Sequence, residues 1–369
     1  MSRFEFSIAG PDDDSAIRRR FAQDWMPGEV SITFRREPSF FASLDLLGDA
    51  AEVIKCQDRS NGSFVGFGTR YRRQFYYQGK DITGGYLADL RCEPAYRGRG
   101  LLARGYKFLQ NLHVNNPYGA YYSVIYNGNL SAERILTSAR AGLPQYLDLG
   151  MIQTPAIHLD FKMPEKKVAG VSLRAAKDAD LPAVIEFLNR EYAKKQFAPV
   201  YSAEHFKRLA KRGFKTEDLC LAESSGEIVG TAAVFSPIGF RQTHVERYSK
   251  KLSLVRPFYN AASHLTPLKP LPAVGSEIPY FYILMPAAKE NDPEIMSVIL
   301  RHIYRRYRQG PWHYFIPGFH EQDPLALCLD EYRSIPASGR LYEIVYPGEG
   351  EFVTRAHRQQ VPYIEPFSL

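Results

Sequence analysis

The sequence predicts an α/β chain made of two copies of one unit, and three observations carry that prediction. Ser7-Ile8-Ala9-Gly10-Pro11-Asp12-Asp13-Asp14, followed by Ile17 and Phe21, resembles Leu173-Arg174-Ala175-Ala176-Lys177-Asp178-Ala179-Asp180, followed by Ala183 and Phe187. Asn61-Gly62-Ser63-Phe64-Val65-Gly66-Phe67-Gly68 mirrors Ser225-Gly226-Glu227-Ile228-Val229-Gly230-Thr231-Ala232. The step from Ser7 to Leu173 nearly equals the step from Asn61 to Ser225, and two separate features sharing one offset mark an internal repeat. A short charged linker, Met163-Pro164-Glu165-Lys166-Lys167, places the division at 1–163 and 168–369.

The elements follow in order. In each copy a short extended segment meets an Asp-x-Asp, whose carboxylates can accept from the free amides of the helix behind it. That gives strand 4–9 with helix 12–23, and strand 171–176 with helix 180–194. Residues 24–50 are loosely patterned. Asn61-Gly62 and Ser225-Gly226 are hairpin dipeptides, so each separates two strands: 52–57 from 63–76, and 218–224 from 227–236. In the first copy strand 82–92, helix 100–114, strand 119–126, helix 130–140 and strands to residue 160 complete the unit. The second adds helix 202–212, then strand 279–285, helix 293–308, strand 312–317, helix 323–332 and two C-terminal strands. Between them lie about 40 proline-punctuated residues, 238–278, read as an irregular cover over the opening between the copies.

Length and composition exclude several classes. The 369 residues suffice for two or three domains. An apolar share of 45% with 24% charged is that of a globular protein, not a disordered or coiled-coil one. No apolar run reaches the ~20 residues a membrane helix needs, and Met1–Phe6 lacks the apolar core of a signal peptide. Cys56, Cys92, Cys220 and Cys328 stand far apart, which reads as reduced thiols in a cytoplasmic protein. The net charge of +7 is spread evenly, +3 over 1–163 and +4 over 164–369, so it marks no basic tail for nucleic acid. The clusters Arg18–Arg20 and Arg301–Arg308 read as solvated helix faces. No histidine has metal-ligand spacing.

One segment carries chemistry: Leu90-Arg91-Cys92-Glu93-Pro94-Ala95-Tyr96-Arg97-Gly98-Arg99-Gly100-Leu101-Leu102-Ala103. A strand ends at a proline, a loop with alternating glycines follows, and a helix opens behind it. Glycines let backbone approach a ligand, and helix-start amides point at an anion. Arg97 and Arg99 add positive charge, and no acidic residue occurs from Gly98 through Ala132. A pyrophosphate fits. The dinucleotide fingerprint also matches Gly98-x-Gly100-x-x-Ala103, but it needs an acidic residue about 20 positions on, where Ala120–Val124 has none. A P-loop is excluded because no Gly-Lys-Ser/Thr follows.

This segment resembles motif A of the GCN5-related N-acetyltransferases, the strand–loop–helix that holds coenzyme A. Leu90, Cys92 and Pro94 fill the strand positions and Arg97-Gly98-Arg99-Gly100 the loop; Leu102, in place of a small residue, is a departure. The resemblance covers essentially the whole chain as a tandem, and implies two mixed, mostly antiparallel sheets flanked by helices. It implies that Leu90, Arg91 and Cys92 meet pantetheine, and that Arg97 through Ala103 hold the pyrophosphate. Acetyl-CoA, or another acyl-CoA, is the implied co-substrate. The second copy has lost both glycines: aligned on its proline, the loop reads Pro286-Ala287-Ala288-Lys289-Glu290-Asn291-Asp292, with carboxylates where phosphates would sit. One acyl-CoA site per chain follows, in the first half.

Acyl transfer to an amine needs a proton acceptor, a polarised carbonyl and a proton donor for the thiolate. Many relatives place a donor tyrosine on the helix matching 130–142, which here has none, so Tyr146 is the nearest candidate. Asn127 or Asn129 answers to the asparagine that the family places at the start of this helix, Asn129 being counted with the coenzyme-binding residues. Asp89 and Glu93 are candidate bases, although strict alternation points both away from the face shared by Leu90 and Cys92. Cys92 itself reads as a small core residue. The apolar tail Val361–Leu369 suggests a further base, because some tandem relatives bring a C-terminal carboxylate, here that of Leu369, into the active site.

The reading is therefore an acetyl-CoA-dependent N-acyltransferase acting on a small-molecule or peptide amine. Its partners include no membrane, nucleic acid is disfavoured, and oligomeric state is left open. The alternative is a tandem CoA- or substrate-binding protein that has lost catalysis. An aminoacyl-tRNA-dependent peptidyltransferase, also built from two such units, is disfavoured because it does not need the Arg97–Gly100 loop.

Overall fold

The computed structural model describes residues 2–140, 142–346 and 360–369. The first half runs β1 (Phe4–Ile8), α1 (Asp14–Gln23), β2 (Trp25–Met26), β3 (Val30–Arg35), α2 (Leu44–Leu47), β4 (Ala50–Asp58), β5 (Ser63–Tyr77) and β6 (Lys80–Cys92). It continues with α3 (Leu101–Asn115), β7 (Tyr121–Tyr126), α4 (Leu130–Leu136), β8 (Gln145–Gln153) and β9 (Ala156–His158). The second half runs β10 (Ser172–Ala175), α5 (Leu181–Tyr192), α6 (Ala203–Lys211), β11 (Leu219–Ser224), β12 (Glu227–Phe235), β13 (Gln242–Tyr248) and α7 (Lys250–Ser263). It ends with β14 (Tyr280–Ala288), α8 (Pro293–Tyr307), β15 (Tyr314–Ile316), β16 (Phe319–His320), β17 (Ser334–Ile335) and β18 (Ser338–Val345).

These strands form two large mixed sheets and a small third one. The first is ordered β1-β4-β5-β6-β7-β18-β8-β16 and the second β10-β11-β12-β14-β15-β9-β17. Among the described residues only the strand pairs β6–β7 and β14–β15 are parallel; every other strand pair is antiparallel. Helix α3 packs Tyr106 and Leu109 on Leu87, Tyr121 and Ile125 of the first sheet. Helix α8 does the same on the second, burying Met296, Ile299 and Ile303 against Ala222, Val234 and Ile283. Each such large apolar side chain contributes about 1.5–3 kcal/mol when buried. A third cluster, with Tyr71, Phe75, Tyr86, Tyr122, Phe197 and Ile364, joins residues of both halves.

The halves exchange strands. β18 belongs to the second half yet lies between β7 and β8 of the first sheet, and β9 lies between β15 and β17 of the second. The exchange crosses the expected division at 1–163 and 168–369. Its cause is long-range: Leu341 packs with Tyr86 and Tyr122, while Tyr342 and Ile344 pack beneath α3. The tail differs too. It is not a strand but an extended segment with one bridge, Gln196↔Pro362, ending in a 3-10 turn over Pro366–Ser368.

Segment 238–278 is not irregular. It contains β13, which pairs with β3 through Gln242↔Arg35 to Tyr248↔Val30, so a strand of the second half completes the small sheet β13-β3-β2. It also contains the fourteen-residue α7, capped by Ser249, whose hydroxyl accepts from Leu252 N at 3.2 Å, with Pro257 inside. The expected helix 323–332 is a 3-10 run, Pro324–Glu331. No helix among the described residues is long and apolar enough to cross a membrane.

Candidate functional site

The loop after β6 has the backbone that an anion site needs. A 3-10 turn, Pro94–Tyr96, is followed by Gly98 at φ 77° and Gly100 at φ 68°, the latter capping α3. A Cβ at either glycine would meet nothing within 4 Å, so glycine is required there for its left-handed backbone and not for internal packing. The amides opening α3 have no intrahelical acceptor, and no acidic residue occupies its first turn. Arg97 and Arg99 are exposed beside them; Arg99 stacks over Tyr96 at 5.3 Å. Leu101 is buried with Cys56 and Val65, and half-buried Cys92 packs against them, which anchors the loop's base. Burial pushes the Cys92 thiol up, consistent with a packing residue.

Strands β6 and β7 diverge beside this loop. They pair only at Gly85↔Tyr121 and Tyr86↔Tyr122, although β6 runs on to Cys92 and β7 to Tyr126. Gly84 and Gly85 allow the close approach at the pivot: a Cβ would fall 2.0 Å from Phe75 and 2.2 Å from Tyr121. Asp89 then takes φ 58°, and the register slips between Phe67 and Thr69, forming a bulge. Leu90 is left exposed.

Asp89 sits in this bulge, where strict alternation does not hold. Its carboxylate accepts from Tyr71 Oη at 2.7 Å and lies 4.0 Å from Arg36, both of them buried. Burial and the Asp89 charge push the Tyr71 phenol far up. Burial, with Arg241 nearby, brings Arg36 down to about 10. Tyr71 stacks on Tyr86 at 5.9 Å, and Tyr86 Oη donates to Ser368 O at 2.8 Å. Arg241, just before β13, donates to the main-chain oxygens of Phe367 and Leu369. The structure thus gathers Asp89 and Leu369 around two tyrosines and two arginines at the foot of the divergence.

The other candidates lie elsewhere. Glu93 is ion-paired with the buried Arg20, which also holds Asp24 at 2.7 Å. Tyr146 bonds to Tyr106 under α3 and packs on Tyr342, and burial pushes its phenol far up. Asn129 caps α4, accepting from Ala132 N at 3.3 Å. Arg36, Tyr71, Tyr86 and Arg241 were not singled out in the sequence. The tyrosines were hidden among 24, and Arg241 sits in the segment read as irregular.

The second unit repeats the bulge but not the site. Met285 has φ 55°, with the register slip between Thr231 and Ala233. This register matches Pro286 to Leu90 and not to Pro94, so the alignment of the two loops on proline was four residues out. The loop between β14 and α8 is shortened to Lys289–Asp292, and Asp292 caps α8 with its own carboxylate, accepting from Glu294 N at 2.8 Å. The tail lies against β14: buried Glu365 accepts from Met285 N at 3.0 Å and from Tyr201 Oη, while its second oxygen has no hydrogen-bond partner. Burial pushes Glu365 up to about 7.

A cavity of about 460 Å³ beside β8 is lined by Asp148, Glu321 and Arg340 and by no residue of the glycine loop. No group of three His, Cys, Asp or Glu side chains among the described residues is arranged to hold a metal ion.

No protein-family model matches the chain, and no curated protein does. Solved structures do. N-myristoyltransferase of Saccharomyces cerevisiae with bound myristoyl-CoA superposes with a TM-score of 0.59 at 14% identity, over 94% of this chain and 80% of that one. A GCN5-related N-acetyltransferase of Sphaerobacter thermophilus gives 0.56 at 15%, over 94% and 98%. The glucosamine N-acetyltransferase region of a fungal multi-domain β-N-acetylglucosaminidase gives 0.62 at 14%, over 92% of this chain and 38% of that one. With its diverging parallel pair, repeated bulge and glycine loop, the chain has the fold of the tandem GCN5-related N-acetyltransferases and N-myristoyltransferase.

Proposed function

We propose that this protein is an N-acyltransferase that binds one acyl-CoA in its first half and transfers the acyl group to an amine. The observation that carries the reading is the glycine loop opening onto α3 beside the β6–β7 divergence. Amides of 99–103 and the two arginines hold the pyrophosphate, exposed Leu90 and the bulge receive pantetheine, and the thioester reaches the divergence. The acyl group is short, such as acetyl: the floor is closed by Tyr86 and Tyr122, stacked at 4.8 Å, with Phe75 and Phe197 behind.

The amine nitrogen attacks the thioester carbon, the C–S bond breaks, and the nitrogen's proton ends on the coenzyme sulfur. In a chain that ends at Leu369, the terminal carboxylate beside Arg241 is the proton acceptor. Asp89 fixes Tyr71 and Arg36 around it. The acceptor is a small-molecule or peptide amine.

The test is thiol release from acetyl-CoA across a panel of amines and short peptides, for the native protein and Gly100→Asp. Turnover with one or more amines, lost in Gly100→Asp, supports the reading. Saturable acetyl-CoA binding without turnover on any amine points instead to a binding protein. No binding removes both.

A further inference from the structure

The second half carries a helix turned inside out. Along α7, Leu252, Arg256, Tyr259, Asn260 and Ser263 are half-buried towards the protein, and the helix buries none of its residues fully. Arg256 Nε and Asn260 Nδ2 both donate to Leu271 O, at 3.3 and 3.0 Å, so polar groups fill the inner side. Outward stand Leu254 (74% exposed) and Phe258 (78%), one turn apart, with Leu265 (91%) just beyond the helix end. Apolar residues at such spacing normally face a core. These face away from it.

Charge says what covers them. From Arg247 to Ser276 the chain has Arg247, Lys250, Lys251, Arg256 and Lys269 and no acidic residue; Glu29, from the turn between β2 and β3, is the carboxylate at the helix start, where it accepts from Ser249 Oγ. Arg247, Lys250 and Lys251 are exposed at the start of the helix, and Arg247 lies over the exposed Trp25 ring at 5.0 Å. Apolar side chains flanked by cations, with an aromatic at the rim, are the pattern of a helix lying in an anionic lipid interface.

We infer that α7 and the adjoining Leu265 and Trp25 form a docking surface for an anionic membrane, on which the protein rests without crossing it. This revises the expectation of no membrane partner, which rested on the lack of a spanning segment. β13 leads from the Arg241 end of the site to α7, and its seven residues span roughly 20 Å. The bilayer surface is therefore near the site without filling it.

The experiment is co-sedimentation of the full chain with two kinds of vesicle, at low and high salt. One is phosphatidylcholine alone; the other is phosphatidylcholine and phosphatidylglycerol mixed two to one. We expect at least tenfold tighter binding to the anionic vesicles, weakening with salt. Leu254→Ser/Phe258→Ser/Leu265→Ser should lose at least tenfold; because all three side chains are exposed, its melting temperature should match the native protein's. Lys250→Glu/Lys251→Glu should abolish the preference for anionic lipid. Equal binding to both vesicle types, or no loss in the triple variant, overturns the inference. So does a native dimer, seen by sedimentation velocity, that the triple variant dissociates while vesicles bind neither form, because the face would then belong to a second copy.

Discussion

Asp89 and Met285 hold the same position in the two sheets, each with a left-handed backbone, φ 58° and 55°, and each at a bulge in the strand that pairs in parallel with its neighbour. What meets the two bulges differs. At Met285 the amide donates to Glu365 of the chain's own tail, whereas at Asp89 the side chain is held by Tyr71 and Arg36 beside a glycine loop. One fold element thus stands beside a glycine loop in one copy and seats the chain's own tail in the other.

Gly100→Asp should weaken acyl-CoA binding at least tenfold, about 1.4 kcal/mol. Gly100 sits at φ 68°, so the substitution adds both backbone strain and a carboxylate facing the pyrophosphate. Gly100→Asn, neutral and tolerant of this backbone, should lose less. Calorimetry decides it, and the native protein should titrate close to one site per chain; two equal sites would refute the assignment to the first half.

Appending a few residues after Leu369 should abolish acyl transfer while leaving coenzyme binding within about twofold. The oxygen that Arg241 contacts would become an ordinary amide carbonyl, unable to take a proton. Normal turnover by the extended protein would move the base elsewhere, and Asp89→Asn would then be the variant to make.

Arg241→Met removes the donor to Phe367 and Leu369 with little change in volume. The tail end loses its charged anchor, so kcat should fall at least tenfold with acyl-CoA affinity unchanged. An equal loss in affinity would show that Arg241 serves the coenzyme and not the tail.

Glu365 predicts a pH dependence of stability. Its carboxyl is pushed up to about 7 in the fold, from an ordinary 4.5, so between these values the folded chain binds more protons than the unfolded one. Its contribution is complete below about pH 4.5 and is lost as pH rises through 7. Glu365→Gln keeps an acceptor for Met285 N and cannot ionise. At pH 8 it should stabilise the protein by about 2–3 kcal/mol, visible as a higher Tm, and at pH 4.5 the difference should vanish. A variant less stable at pH 8 would mean that the ionised form is the one the tail needs.

Local signals were legible in the sequence wherever the structure uses them locally. The hairpin at Asn61-Gly62 and the glycine loop stand where the residues placed them, within a few positions. The Asp-x-Asp carboxylates, expected to accept from the first turn of the helix behind, instead accept from Gly10 N and Lys177 N, which precede them. Helix α7 was missed because its apolar side faces outward and Pro257 interrupts it, two features that read as loop. Strand β3 fell in a loosely patterned stretch, because its partner β13 lies in the other half of the chain. The setting of Asp89 was not legible because alternation assumes an unbroken strand, and a bulge interrupts it.

The sequence by itself determined the repeat, the α/β class and the glycine loop, since glycine backbone freedom, helix-start amides and arginine charge act within one short segment. Only the tertiary structure decided which strands the halves exchange and where the tail ends. Those choices depend on burying Leu341, Tyr342 and Ile364 against side chains from the other half, a gain in apolar contact that no local spacing encodes. It also decided what surrounds Leu369, because Arg241, Tyr86 and Leu369 become neighbours only when a strand of the second half pairs with a strand of the first.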